Sequence, residues 1–334
     1  MTRPFVTCLT RVRDEAWILE SFLRSASLWA DRIIVADQGS RDGSREIAAS
    51  FDAVHLIENP SEAFDEATHQ RLLIDEARRL AHGPQVLFAL DADEALSSNA
   101  FEGPTWARVL TAEPGTVIRF PWANLAPDGR RAWLTGDRAW GYVDDGATYE
   151  GGGIHAGRLP NPVGASTLLL DDCVMLHRQY LDWERMKAKQ RWYQAWECVN
   201  SPGRAGVDIY RQYHHMHAVP SERYTAIRPE WLSAYRHAQI DVTTASHEGG
   251  SQFDERVLKL FDECGVRRFR RMDIWEVDWK ERAEAIGRSA SIDLARDPRR
   301  PWDRAIHHWL RGTQMTANTQ FVLYCDAILR RLHW

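Results

Sequence analysis

The sequence predicts an α/β protein, with a mostly parallel sheet flanked by helices and a mainly helical C-terminal extension. Three observations predict it. Four β-rich apolar runs precede Asp91, the segments between them carry apolar residues at helical spacing, and from Gln252 onward helical periodicity dominates.

Phe5 to Leu9 is the first apolar run and reads as a strand. From Asp14 to Leu28, the residues Ile18, Leu19, Phe22, Leu23 and Ala26 recur at spacings of three and four, which defines an amphipathic helix. Arg32–Asp37 is a buried strand closed by the turn-forming Gly39-Ser40-Arg41-Asp42-Gly43. A short helix is expected from Ser44 to Phe51, a third strand from Val54 to Ile57, and a helix from Phe64 to Leu80. Val86–Leu90 is the fourth strand and runs directly into Asp91-Ala92-Asp93-Glu94. Strands separated by helices of this length need crossover connections, which makes the sheet largely parallel. In open parallel sheets ligands bind beyond the carboxyl ends of the strands. Asp37 and the Asp91/Asp93 pair both sit at such ends.

Composition narrows the function. The 334 residues carry a net charge of -5, which gives no electrostatic footprint for nucleic acid. The five cysteines are odd in number and never form a C-x-x-C pair, which argues against a disulfide framework or a zinc site and fits a reducing cytoplasm. The apolar stretch before Arg11 is too short for a signal peptide, and no run approaches the ~20 apolar residues of a membrane span. A cytoplasmic location is expected, with peripheral contact at the inner face of a membrane as the alternative. The fifteen tryptophans, most of them after Trp106, suit stacking on flat ligand faces, although roughly two in three are expected to be structural.

The chain has neither G-x-G-x-x-G after its first strand nor G-x-x-x-x-G-K-[ST], so dinucleotide-dehydrogenase and P-loop readings lack their phosphate cradle. Asp91 and Asp93 offer different chemistry. Residues i and i+2 of an extended chain project the same way. Two carboxylates facing one cleft repel unless a cation joins them. A hard divalent ion takes carboxylate oxygens together with substrate phosphates, and can neutralise a departing diphosphate.

Three segments, Val6–Glu15, Asp37–Ser44 and Leu90–Glu94, resemble in order and separation the N-terminal signatures of glycosyltransferase family 2. The resemblance covers residues 4 to 96 and fades afterwards. It implies a GT-A fold and sugar transfer from a nucleotide-diphosphate donor, with Mg²⁺ or Mn²⁺ as the metal. It places Thr10, Arg11 and Glu15 near the nucleotide, Asp37 on the base, and Arg71 on the diphosphate. Asp91 would approach the ribose or the metal, and Asp93 would chelate the metal directly. Plainer roles compete at single positions: Ser40 or Asp42 as a helix cap, Asp42-Gly43 as a turn, and Arg71 as a salt-bridge partner of Asp75.

An inverting transferase needs a carboxylate to take the acceptor proton. Related enzymes carry a His-Glu pair in the middle segment. Here Ile154-His155-Ala156 lacks the glutamate, so Glu150 is the first candidate base, with Asp144 and Asp145 behind it. Val174–Arg178 followed by Trp183–Tyr193 resembles the family's strand-His-helix segment, which makes His177 a candidate metal ligand. Arg185, Lys187, Lys189 and Arg191 then either reach the diphosphate or acceptor or form a solvated helix face.

A domain break is expected near Asn200–Gly206, dividing a nucleotide-sugar domain (1–200) from a helical region (201–334) for acceptor binding or oligomerisation. His214-His215-Met216-His217 lacks a second ligand group at a recognisable spacing. The amphipathic segment Phe321–Trp334 docks on the core, on a second copy or on a membrane surface. The expected acceptor is a glycan, a metabolite or a peptide. Competing functions are a nucleotidyltransferase, whose glycine- and arginine-rich first loop is absent, and a non-catalytic carbohydrate-binding scaffold.

Overall fold

A computed structural model describes residues 3–59, 65–151, 157–246, 251–288, 294, 296–332 and 334. Contacts divide the chain into two compact units, Met1–Leu181 with Tyr224–Ser246, and Asp182–Arg223 with His247–Trp334.

The first unit begins with β1 (Phe5–Val12), α1 (Ala16–Ala26), β2 (Arg32–Asp37), α2 (Ser44–Ala49), β3 (Val54–Glu58), α3 (Glu66–Arg79) and β4 (Gln85–Ala89), the alternation read from the sequence. β5 (Glu94–Leu96), α4 (Ser98–Phe101), α5 (Pro104–Leu110), β6 (Val117–Leu125), β7 (Arg131–Val143), β8 (Thr167–Leu169) and β9 (Met175–His177) follow. The returning segment adds β10 (Thr225–Ala226) and α8 (Ser233–His237). All ten strands join one mixed sheet in the order β3-β2-β1-β4-β7-β6-β9-β5, with β10 on β7 and β8 on β6. β3, β2, β1 and β4 are parallel neighbours, whereas β7 runs antiparallel to both β4 and β6. The arrangement is GT-A-like, a half of four parallel strands continued by an antiparallel hairpin.

Alternation along β1 explains its two-sided burial. Val6, Cys8 and Val12 pack with Trp17, Leu19, Phe22 and Leu23 of α1, while Leu9 packs with Leu73, Ile74 and Ala77 of α3. β6 and β7 form a long hairpin whose far end is covered by Trp231, Leu232, Tyr235, Ile240 and Val242. This corrects the expected boundary near residue 200. The Pro-Gly stretch is a turn within the second unit, and Tyr224–Ser246 belongs to the first because its apolar side chains complete that core.

The second unit contains α6 (Trp183–Asn200), α7 (Gly206–Tyr213), α9 (Ser251–Cys264), α10 (Trp279–Ala285), α11 (Pro301–Gly312) and α12 (Gln320–Arg331). Within it, Arg191 of α6 is buried between Asp254 (3.0 Å) and Glu276 (2.9 Å), and Lys187 pairs with Glu184 (2.8 Å). Arg191 is therefore a packing ion pair, and Lys187 lies on a charged helix face. Nine of the fifteen tryptophans are buried, which assigns the majority to packing. All five cysteines are free, and among the described residues no helix is long and apolar enough to cross a membrane.

The histidine cluster has a structural role in the same unit. His214 stacks on Tyr210 with ring centroids 4.0 Å apart, its Nδ1 lies 3.0 Å from the Tyr210 carbonyl, and its Nε2 is 3.6 Å from Asp273. Burial pulls its pKa down from 6.5 to about 4, against the opposing pull of Asp273. Between these values the unfolded chain binds a proton that the native ring refuses, so stability falls as pH falls. Urea unfolding from pH 7 to pH 4.5 should lose on the order of 3 kcal/mol from this group. A His214→Phe variant should flatten that dependence, and an unchanged slope would refute the assignment.

Candidate active site at the carboxyl ends of the strands

Two loops at the carboxyl ends of β1 and β2 are stitched together. The Asp14 amide donates to Ser40 Oγ (3.0 Å), Arg41 N to Asp14 Oδ1 (2.9 Å), Glu15 N to Ser44 Oγ (2.9 Å), and Ala16 N to Asp42 Oδ2 (2.8 Å). Asp42 thus satisfies an open amide at the start of α1, where that helix lacks a side-chain cap of its own. Asp14 holds a left-handed φ of 57°, a conformation that aspartate tolerates better than most residues. Asp37 is buried, and its carboxylate accepts from Gly39 N (3.1 Å) and Ser40 N (3.3 Å). Glu15 accepts from Trp17 Nε1 (2.6 Å). Thr10 shares the inward face of Cys8 and Val12, and is 1% exposed, so it lies beneath these loops.

β4 delivers Asp91 and Asp93 to the same edge, where they take different surroundings. Asp91 Oδ2 accepts from Arg158 Nη2 (2.5 Å) and its Oδ1 from Arg11 Nη2 (3.4 Å). Arg158 Nη1 also donates to Glu94 Oε2 (2.5 Å), an oxygen that further accepts the Asp91 amide (2.8 Å). Glu94 is fully buried, which raises its pKa, with Asp91 and Asp93 adding to the rise and Arg158 opposing it. For Arg158, burial favours loss of the proton, but Asp91 and Glu94 outweigh it and the guanidinium stays charged. Sequence reading missed Arg158, since nothing in the glycine-rich stretch before it marks a partner for distant acids.

Asp93 instead faces His177. The register pairs Glu94 with His177 across β5 and β9, and Asn124 with His177 across β6 and β9. His177 Nδ1 lies 2.8 Å from Asn124 Oδ1, while the Asn124 amide nitrogen reaches the Trp133 carbonyl (3.5 Å). Asn124 Oδ1 accepts from Nδ1, which directs Nε2 toward Asp93 Oδ2, 3.8 Å away. Trp122 stacks on the ring at 4.3 Å and holds its plane. Two ligand atoms each ~2.1 Å from one ion lie within about 4.2 Å of each other, so this pair fits a divalent cation. Among the described residues no group of three or more His, Cys, Asp or Glu side chains is arranged to hold an ion. An ion held by Asp93 and His177 would have to take its remaining ligands from water and phosphate oxygens.

Arg71 is exposed on α3, and neither it nor Arg13 makes an ion pair among the described residues. The expected Arg71–Asp75 bridge is not formed. Tyr149 lies within the field of Arg11, Arg71 and Arg158 and donates to the Gly157 carbonyl (2.7 Å). Burial raises its pKa while Arg11 opposes the rise. Glu150 follows it and is exposed, and a Cβ on Gly151 would stand 2.3 Å from Ala67 Cβ near the start of α3. Glu150 therefore sits on the acid-bearing edge.

Asp144 and Asp145 do not. The Asp144 amide donates to the carbonyl of Gln85, the first residue of β4, and its carboxylate takes Arg78 (2.8 Å) and Gln85 Nε2 (2.9 Å). Asp145 accepts from the Tyr142 hydroxyl and from Ala147 N. Six residues of extended chain, roughly 20 Å, separate Gln85 from Asp91. The two acids anchor the opposite end of the sheet, which corrects their expected place beside the acceptor. Ile154-His155-Ala156 lies outside the described residues.

No protein-family model and no curated protein sequence matches the chain. Solved structures that share part of the arrangement include two in complex with UDP and Mn²⁺. Glucosyl-3-phosphoglycerate synthase from Mycobacterium tuberculosis, in complex with Mn²⁺, UDP and glucosyl-3-phosphoglycerate, is 14% identical over 38% of this chain and 46% of its own, with a TM-score of 0.25. GalNAc-T7 with UDP, GalNAc and Mn²⁺ is 12% identical over 79% and 58%, with a TM-score of 0.33. 4-Diphosphocytidyl-2C-methyl-D-erythritol synthase is 11% identical over 93% and 99%, with a TM-score of 0.27. The chain thus spans less than half the length of the first of these. At these scores the likenesses assign no activity.

Proposed function

We propose that the chain is a glycosyltransferase of family 2 type that moves a sugar from a nucleotide-diphosphate donor to an acceptor hydroxyl with inversion. The observation that carries the proposal is the convergence of Asp93 and His177, in ligand geometry, beside arginines at the carboxyl ends of the strands. Mg²⁺ or Mn²⁺ bound there would neutralise charge on the departing diphosphate. Asp37 and the stitched loops shape the slot for the base and ribose. Arg71 and Arg13 supply charge for the phosphates. Arg158 pins Asp91, so that the outer face of this carboxylate is set toward the ribose. Glu150, on the exposed edge, takes the proton of the attacking hydroxyl. The acceptor is a glycan, a small metabolite or a peptide.

The test is calorimetric titration of nucleoside diphosphates and their sugars, with and without Mn²⁺. One nucleotide should bind with metal-dependent affinity, and Asp93→Asn should abolish the metal-dependent part. Failure of every nucleotide to bind the folded protein in either condition would sink the transferase reading.

A further inference from the structure

We propose that the outer face of α11 and α12 is a docking surface for an anionic lipid membrane. Phe321, Tyr324 and Ile328 of α12, with Leu332 directly after its last turn, recur at spacings of three and four, and so form one stripe. They are 71%, 67%, 40% and 66% exposed, whereas Val322 and Asp326 on the other side of the helix are buried. Trp302 of α11 is 55% exposed. Between the two helices runs an apolar groove of about 370 Å³, lined by Trp302, Ile306, Trp309, Cys325, Ile328 and Leu329. Single exposed apolar residues are ordinary, but a contiguous aromatic and aliphatic face marks a place where something docks.

Charge selects the occupant. The chain as a whole is acidic at -5, yet seven arginines and three aspartates fall between Arg296 and Leu332. Two of those aspartates, Asp303 and Asp326, are buried, and Arg299, Arg304, Arg311 and Arg330 pair with Asp297, Asp273 and Asp208, so the cationic character of this surface rests on Arg296, Arg300 and Arg331. Arg300 lies 5.2 Å from the ring of Trp302, at the rim of the apolar face. Arg331 follows Ile328 by three residues and adjoins Leu332. Neither arginine makes an ion pair among the described residues. Two-fold pairing with a second copy would set this rim against itself. A surface of phosphate headgroups complements it, while the aromatic rings and aliphatic chains reach the headgroup–acyl boundary, as in interfacial amphipathic helices.

Co-sedimentation with phospholipid vesicles tests the proposal on the full chain. Vesicles of mixed phosphatidylglycerol and phosphatidylcholine should pellet the protein at low salt, and vesicles of phosphatidylcholine should retain little of it. Phe321→Ser/Ile328→Ser should weaken partitioning about tenfold or more. Arg300→Gln/Arg331→Gln should weaken it and flatten its salt dependence. Both variants should keep the circular dichroism and unfolding midpoint of the parent, because the altered side chains face outward. Three results would overturn the proposal. The folded protein stays in the supernatant with anionic vesicles at low salt, or it partitions equally into neutral vesicles with the arginine variant unchanged. In the third, Phe321→Ser/Ile328→Ser converts a dimer into a monomer in sedimentation equilibrium and leaves vesicle binding as it was.

Discussion

Asp93→Asn should lower kcat about a thousandfold, an effect of about 4 kcal/mol on the barrier. The substitution keeps the shape of the side chain and removes the charge that faces His177. Asp93 also lies near the buried Arg178, whose pKa burial pulls down to about 10 against the opposing pull of Asp93. The variant should therefore also lose about 1–3 kcal/mol of stability. His177→Asn separates the two effects, since it deletes the other ligand without touching the charge beside Arg178. It should lower kcat about a hundredfold and shift the Mn²⁺ dependence of the reaction to higher concentration. Turnover measured across a Mn²⁺ titration decides the matter. If both variants keep the parent's metal dependence, Asp93 and His177 are not the ligands.

The largest stability effect should come from Arg158→Met, about 3–5 kcal/mol by urea unfolding. Removing the guanidinium strands the carboxylate of Glu94, which is fully buried, and frees Asp91 from its shortest contact. Burial already pushes the Glu94 carboxyl upward, and the loss of Arg158 pushes it further. A protonated Glu94 is tolerated and an ionised one is not, so the destabilisation should grow as pH rises. Glu94→Gln in the same chain should recover more than half of the loss, because it removes the charge that the arginine had compensated. Additive losses in the double variant would show that the two residues do not act as a pair.

The parallel half of the fold was legible because its elements are local. The helical spacing from Ile18 to Ala26 and the apolar runs of Arg32–Asp37 and Val86–Leu90 each declare themselves within a few residues, and all three appear in the structure. The β7 arm of the hairpin was missed, although Pro127-Asp128-Gly129 is a recognisable turn between two stretches rich in strand-forming residues. Placement of Asp144 and Asp145 failed for the same reason. Without β7, nothing told which end of the sheet they reach. His177 could be singled out from its strand and following helix, but Asn124, which bonds its Nδ1, lies 53 residues away. Arg158 is 67 residues from Asp91, and long-range ion pairs of this kind leave no local pattern.

The discontinuity of the first unit has a consequence for biosynthesis. Trp231 and Tyr235 complete the core beneath the β6–β7 hairpin, and Tyr235 ties itself to the Leu96 carbonyl. A nascent chain therefore cannot close this core when Leu181 leaves the ribosome. It must wait through more than forty intervening residues until Ser246 has emerged. The waiting intermediate exposes the underside of the hairpin and is the species a holding chaperone would meet. For the same reason, a recombinant fragment ending at Asn200 lacks part of its own interior.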